Sequence, residues 1–372
     1  MAQKFPILVF TGPRQSGKTT LCKMSFPKYK YVSLENPDNL EFAQNDPKGF
    51  LAYYKPPVIM DEAQNAPQLF SYLQQIVDES GVSGQYVLSG SQNYLMLEKI
   101  TQSLAGRVYL MELLPLSSTE IEPVKKQDVF KHTINGGYPR LYDKKITPSD
   151  FFPSYIQTYI ERDVRSIINV HDISLFRKFI TLCATHSGQI FIADKLSKSL
   201  GMSIKTIQRW LSILETSYIA FTLKPWYKNF SKRITKSPKL YFYDTGLLSY
   251  LLGIESEDDM ITSPFKGALF ENFAIVDIMK HHKNRGIKRN YYFWRDSNGN
   301  EIDFIIERGL NIQCIEMKSS QTVKSEFIKS LHYLDGRDEH LQMDHFLMNT
   351  QETSQKRTNE TILSWKDAQK LI

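Results

Sequence analysis

The stretch Ile7-Leu8-Val9-Phe10-Thr11-Gly12-Pro13-Arg14-Gln15-Ser16-Gly17-Lys18-Thr19-Thr20 decides the fold of the N-terminal part of this sequence. Residues 12–19 fit the phosphate-loop pattern G-x-x-x-x-G-K-[ST], with an apolar strand run before it and a helical pattern after it. The spacing follows from the chemistry. Glycines let backbone N–H groups turn inward around phosphates, the helix that follows presents its positive end, and Lys18 neutralises the β/γ oxygens. Gly12, Pro13, Arg14, Gln15, Ser16, Gly17, Lys18, Thr19 and Thr20 are therefore the expected ATP-binding loop, with the Thr19 hydroxyl on Mg²⁺.

Two further apolar runs complete the expected site. Pro57-Val58-Ile59-Met60-Asp61-Glu62 reads as a strand ending in two carboxylates. Asp61 is placed for the Mg²⁺ shell, and Glu62, one residue on, is placed to polarise a water for attack on the γ-phosphate. A third strand, Gln85-Tyr86-Val87-Leu88, leads into Ser89-Gly90-Ser91-Gln92. There Ser91 is the first choice for sensing the γ-phosphate and Gln92 the second. Transition-state charge calls for an arginine supplied by a neighbouring copy, which makes a homo-oligomer the expected assembly. Arg107 is the candidate finger, with Arg14, Arg140 and Arg162 as rivals.

A chain of 372 residues is too long for one core and implies two or three domains. Hydrophobic residues at 41% and charged residues at 23% exclude a disordered or rod-like protein. No apolar run reaches the roughly 18 residues of a membrane span, and the opening MAQKFPILVF has no signal-peptide pattern. The expectation is a cytoplasmic protein with no membrane partner and with Cys22, Cys183 and Cys314 as reduced core thiols. The net charge is +6, but residues 161–244 carry fourteen lysines and arginines against six acids, a local +8 that leaves −2 for the rest. Such a basic middle suits contact with DNA or RNA. A solvated lysine-rich face would look the same.

Within that middle, Ala193, Leu196 and Leu200 lie at helical spacing, Gly201 supplies a turn, and Ser203 caps a second helix with Ile204, Ile207, Leu211 and Leu214 inward. The pattern is a helix-turn-helix. Its exposed face offers Lys205, Thr206, Gln208 and Arg209 to phosphates or base edges, with Lys228, Lys232, Arg233, Lys236 and Lys239 as a basic wing. Winged helices also serve as protein connectors, so DNA contact is one of two readings.

The last stretch reads as a helix (GALFENFAIVDIMK), three strands (NYYFW, EIDFIIE, IQCIEMK), a helix and a strand. Side chains alternate along a strand, so Glu316 and Lys318 face one side, where Asp303 of the adjoining strand can join them. Two carboxylates sharing a divalent metal, beside a lysine that orients or deprotonates water, are an apparatus for phosphodiester hydrolysis. Asp303 and Glu316 are the expected metal ligands, Lys318 the third catalytic residue, and Glu271 a further carboxylate. Whether cleavage is retained is a separate question.

The whole chain resembles a prokaryotic ATPase family that joins an AAA-type N-terminal domain to a C-terminal domain of unknown function related to PD-(D/E)xK nucleases. The marks are GPRQSGKT, VIMDEAQ, LSGS, LAGR, LPLSSTE, GGYPR, YIERDV, SPKLYFYDTGLL, FEN, EIDF and IEMKSS, nearly end to end. The resemblance implies an α/β architecture with an AAA+ P-loop ATPase core at 1–120 and a helical lid and connector at 121–165. A winged helix-turn-helix at 166–245 and a restriction-endonuclease-like α/β domain at 246–372 would follow. The resemblance implies ATP binding and hydrolysis; with the complete ATP site and the basic middle, the leading expectation is Mg²⁺-dependent ATP hydrolysis coupled to binding and remodelling of DNA, branched DNA included. A nucleotide-gated binding module and an ATP-regulated nuclease are the alternatives.

Overall fold

Strands β1 (Ile7–Thr11), β2 (Lys30–Ser33), β3 (Val58–Asp61), β4 (Tyr86–Ser89) and β5 (Val108–Glu112) form one sheet in the order β2-β3-β4-β1-β5. Every neighbouring pair is parallel. The continuous apolar strands are covered on both faces, as a parallel sheet requires. Ile7, Val9, Met60 and Leu88 pack with Phe50 and Leu73 from helices α3 (Pro47–Tyr53) and α4 (Leu69–Ser80), below α2 (Pro37–Asn45). Leu8, Phe10, Ile59 and Val87 pack with Cys22 of α1 (Lys18–Ser25). This computed structural model describes residues 1–91, 103–144, 146–160, 173–227, 236–336 and 340–371.

The chain divides into two units, Met1–Leu114 with Thr216–Tyr218, and Pro115–Glu215 with Ile219–Ile372. β5 in the first unit is absent from the strand runs read in the sequence. Its five residues, Val-Tyr-Leu-Met-Glu, carry an apolar run like that of its neighbours but are only half-buried or exposed at the sheet edge.

In the second unit come short helices α5 (Ser118–Ile121), α6 (Val129–Asn135), α7 (Pro139–Asp143) and α8 (Pro148–Tyr155), then α9 (Ile173–Thr185), α10 (Ala193–Leu200) and α11 (Ile204–Thr216). Strands β6 (Ala220–Pro225) and β7 (Lys239–Phe242) pair antiparallel. Then follow α12 (Thr245–Leu251), α13 (Glu257–Thr262), α14 (Lys266–Asn284), β8 (Asn290–Arg295), β9 (Glu301–Arg308), β10 (Asn311–Lys318) and α15 (Ser325–Leu331). β11 (Gln342–Asn349), β12 (Gln355–Lys356) and β13 (Thr361–Ser364) complete a sheet of order β12-β13-β11-β10-β9-β8-β6-β7. β6 joins β8 through Lys224/Tyr292 and Pro225/Phe293, so this sheet runs across position 245.

The α10–α11 pair turns at Gly201 (φ 65°), and Ser203 Oγ accepts the Thr206 N–H at 3.1 Å. Ile207, Trp210, Leu211 and Leu214 are buried. Ile204 corrects the sequence reading: it is 44% exposed, because at the first position of α11 it precedes the inward stripe. Lys205, Gln208 and Arg209 are exposed and Thr206 half-buried. Lys228, Lys232 and Arg233 of the expected wing lie outside the described residues, as do Gln92 and Arg162. Lys236 is exposed. Lys239 is not a wing cation. It opens β7 at 2% exposure, paired with Glu271 at 3.3 Å and with Glu301.

Three sequence motifs meet in one buried knot. Asp244, 1% exposed, accepts the Gly137 N–H (2.8 Å) on one oxygen and caps α12 through the Leu247 N–H (3.0 Å) on the other. A Cβ on Gly136 would stand 2.3 Å from that carboxylate, and Gly136 has φ 69°. Lys280 Nζ donates to Leu116 O (2.9 Å), while Asp277 takes both the N–H and the hydroxyl of Ser118. The LPLSSTE, GGYPR and YDTGLL segments are thus parts of one hydrogen-bonded junction against α14.

Candidate functional site

The phosphate loop leaves the carboxyl end of β1, the edge at which open α/β sheets bind ligands. Gly12 (φ 144°) is obligatory, since a Cβ there would stand 2.1 Å from Leu113 O beside β5. Gly17 (φ 94°) leads into α1. Lys18 Nζ bridges the loop to Gly12 O (3.1 Å) and Pro13 O (2.7 Å). Burial lowers its pKa to about 8, against the pull of Glu62 and Asp61. Phosphate oxygens brought to Nζ would favour its charged form. Ser16 Oγ is buried and has no hydrogen-bond partner among the described residues. Arg14 and Gln15 are half-buried in the loop, and Thr20 is exposed on α1.

Asp61 is the hub. Its Oδ2 accepts from Thr19 Oγ1 (2.8 Å) and Tyr31 OH (3.0 Å), and its Oδ1 accepts from Ser89 Oγ. Thr19 and Asp61 are therefore in the contact expected of a shared Mg²⁺ shell. Glu62 stands at φ 54° after β3, and its Oε2 accepts from Gln64 and from Ser91 Oγ (3.3 Å). Ser91 thus touches the carboxylate expected to activate water.

Tyr31 and Ser89 escaped the sequence reading. Both reach Asp61 through sheet neighbours: Ser89 pairs with Asp61 across β3–β4, and Tyr31 comes from β2 with its ring 3.5 Å from Lys23 Nζ. Strand adjacency would have been needed to find them.

Arg107 lies at the other end of the sheet. Its carbonyl accepts the Ile7 N–H (3.3 Å) at the start of β1, about 16 Å of strand from Gly12 at ~3.3 Å per residue. Its guanidinium is paired twice with Asp78, at 2.6 and 2.7 Å. It cannot serve its own phosphate loop. Arg140 is exposed on α7 in the other unit.

The second unit holds a carboxylate–lysine cluster. Asp303 follows the β9–β10 pair Phe304/Ile315 by one step, so it faces Glu316, and its Oδ2 accepts the Met317 N–H (2.9 Å). Lys318 Nζ pairs with Glu316 Oε1 and lies 3.7 Å from Asp303. Glu271 of α14 joins through Lys239 and Tyr241 OH (2.6 Å). Burial, opposed in part by Lys239, raises the Glu271 pKa to about 7. Burial and then Asp303 raise that of Glu316 to about 8. Among the described residues Glu316 Oε2 is buried without a hydrogen bond, and the nearby Ser330 hydroxyl donates to Phe327 O (2.8 Å). Buried carboxylates whose like charges oppose one another are suited to share a cation. The four residues singled out in the sequence do come together, with Lys239, Tyr241 and Glu301 added.

Three family models match successive stretches of the chain. An AAA domain matches residues 4–122, a domain of unknown function (DUF8612) matches 126–258, and a domain of unknown function (DUF4143) matches 266–367. The uncharacterized proteins Rv2008c of Mycobacterium tuberculosis and Mb2031c of Mycobacterium bovis are each 31% identical over 323 residues, covering 85% of this chain and 71% of theirs. A solved Signal Transduction ATPase with Numerous Domains protein with a tetratricopeptide repeat sensor, from Pyrococcus horikoshii, matches 76% of this chain at 10% identity. Its TM-score is 0.20, and the match spans 46% of that chain. Among the described residues no helix is long and apolar enough to cross a membrane.

Proposed function

This chain belongs to one family with the uncharacterized mycobacterial proteins Rv2008c and Mb2031c and carries an AAA domain over residues 4–122, and on that premise we propose that it hydrolyses ATP and couples hydrolysis to work on DNA. The observation that carries the reading is the convergence of Lys18, Thr19, Asp61, Glu62 and Ser91 at one sheet edge. The loop N–H groups and Lys18 bind the β/γ phosphates. Glu62 accepts a proton from the attacking water, while Ser91 and Gln64 hold its carboxylate in place. Thr19 and Asp61 fit a Mg²⁺ ion, which would neutralise charge developing on the phosphates. Arg107 acts on the site of a neighbouring copy once it leaves Asp78.

Support for DNA as the partner comes from the second unit. The α10–α11 pair followed by the β6–β7 hairpin has the connectivity of a winged helix, with Lys205, Gln208 and Arg209 on the open face of α11. Asp303, Glu316, Lys318 and Glu271 have the composition of a nuclease-like metal site, with Asp303 and Glu316 as cation ligands and Lys318 beside them.

The test measures ATP turnover at low salt, alone and with duplex, single-stranded and four-way DNA. Stimulation that disappears in the Lys205→Ala/Arg209→Ala double variant supports the reading. Turnover indifferent to all three DNAs removes DNA from it. Mg²⁺- or Mn²⁺-dependent nicking lost in Asp303→Ala assigns cleavage to the C-terminal cluster. DNA binding without nicking, unchanged in Asp303→Ala, makes that fold a grip only.

A further inference from the structure

Outside both sites, three metal-ligating side chains converge at the end of α15. His332 follows that helix, Asp335 lies one turn on, and His345 projects from β11. One donor atom from each lies within 4.8 Å of the other two. Asp335 is shared: Oδ2 is 2.6 Å from His332 Nδ1, and Oδ1 is 2.9 Å from His345 Nε2. The two imidazole centroids lie 4.1 Å apart with their planes tilted by 34°. We propose that His332, Asp335 and His345 form a binding site for a divalent transition-metal ion of the zinc class.

The backbone holds this tripod in place. Leu331 and Leu334 are buried in the sheet's hydrophobic core at 0% and 1% exposure, so the turn between them is anchored and His332 and Asp335 point away from it. The Asp335 N–H donates to His332 O at 3.1 Å, a helical turn that sets the two side chains on one side. His345 is fixed by the β10–β11 ladder opposite Cys314. A local H-x-x-D pair completed by a histidine ten residues later is the short-plus-distant spacing of a zinc ligand set.

Chemistry selects the ion. Two of three donors are imidazole nitrogens, which favour Zn²⁺, Co²⁺, Ni²⁺ or Cu²⁺ over the all-oxygen preference of Mg²⁺ and Ca²⁺. At ~2.0–2.1 Å per bond, tetrahedral donors stand about 3.3 Å apart, so small side-chain rotations close the present spacing. The ring protons now aimed at Asp335 would move to the opposite ring nitrogens or to solvent. His345 is nearly buried, whereas His332 and Asp335 have side chains 30% and 42% exposed, so the remaining coordination position opens to solvent.

The experiment titrates metal-stripped full-length protein with CoCl₂ and follows its visible absorption, with ZnCl₂ as competitor. Asp303→Ala is run in parallel, so that binding at the carboxylate–lysine cluster is separated from binding here. The expected result is about one equivalent of Co²⁺ with intense low-symmetry bands, displaced by Zn²⁺ and not by millimolar Mg²⁺. These bands persist in Asp303→Ala. Asp335→Asn and His332→Gln, both at partly exposed positions, keep the wild-type melting temperature and lose at least tenfold in affinity. Only the weak spectrum of aqueous Co²⁺, or binding unchanged in both variants, overturns the proposal and leaves the three residues a hydrogen-bonded triad.

Discussion

Asp61→Asn separates the metal-holding role proposed for this residue from its structural role. The carboxylate accepts three hydroxyl donors, Ser89 on one oxygen and Thr19 and Tyr31 on the other. Asparagine keeps an oxygen for Thr19 and Tyr31, and its NH₂ meets Ser89, whose hydroxyl can turn to accept. Three charge-assisted bonds become neutral ones, a loss of about 1 kcal/mol each. Removing a charge that is only 6% exposed recovers desolvation of comparable size. Stability is therefore expected to change by no more than about 1–2 kcal/mol. Nucleotide binding behaves differently. With Mg²⁺, loss of the shell carboxylate weakens ATP binding about 10- to 100-fold, on the scale of lost outer ligands. In EDTA the effect reverses in sign, because a negative charge beside the phosphates is gone, and the variant binds ATP at least as tightly as the parent. Calorimetric titration of ATP with and without Mg²⁺ reads both. An equal loss under the two conditions would refute the assignment and make Asp61 a structural residue.

Asp244→Asn must turn an NH₂ toward either the Gly137 or the Leu247 N–H and leaves Lys280 without the opposing charge that most favours its protonated form. One buried bond lost and one donor unsatisfied cost about 2–5 kcal/mol, a fall in melting temperature of roughly 5–15 °C for a unit of this size. A melt within 2 °C of the parent contradicts the junction. His282 is buried and its pKa is held near 4, by burial first, with Nδ1 facing Tyr291 OH and Nε2 facing Leu371 O. The unfolded chain, with an ordinary histidine, binds the proton first, so His282 contributes stability above about pH 6.5 that is lost as the pH falls toward 4. After solvent screening this is on the order of 1–2 kcal/mol. His282→Gln should flatten the stability profile across that window, measured by denaturant midpoints at fixed pH.

The geometry at the N-terminal sheet edge was legible because its signal is local: a glycine spacing and an acid pair at the end of an apolar run fix which side chains gather there. Tyr31 and Ser89 were not, because their contact with Asp61 is created by strand order β2-β3-β4, which no short window contains. The same limit explains Lys239. Beside Lys232, Arg233 and Lys236 in sequence it reads as one more surface cation, yet pairing of β7 with β6 brings it to Glu271 and Glu301. Conversely, period-two alternation on β10 did place Glu316 and Lys318 together, and Asp303 met them through an antiparallel partner. The LPLSSTE, GGYPR and YDTGLL segments stood out in the sequence without a role, since their buried hydrogen bonds span 107 to 164 positions.

The central claim is that Glu62 drives ATP hydrolysis at a site where Lys18 holds the phosphates. Single-turnover hydrolysis and ATP affinity, measured together in the parent, Glu62→Gln and Lys18→Ala, test it most directly. Removing a general base is expected to slow the chemical step about 10²- to 10⁴-fold, with ATP affinity in Glu62→Gln kept within a few-fold, whereas Lys18→Ala loses affinity itself. Hydrolysis in Glu62→Gln at the parent rate, with binding intact, would contradict the account.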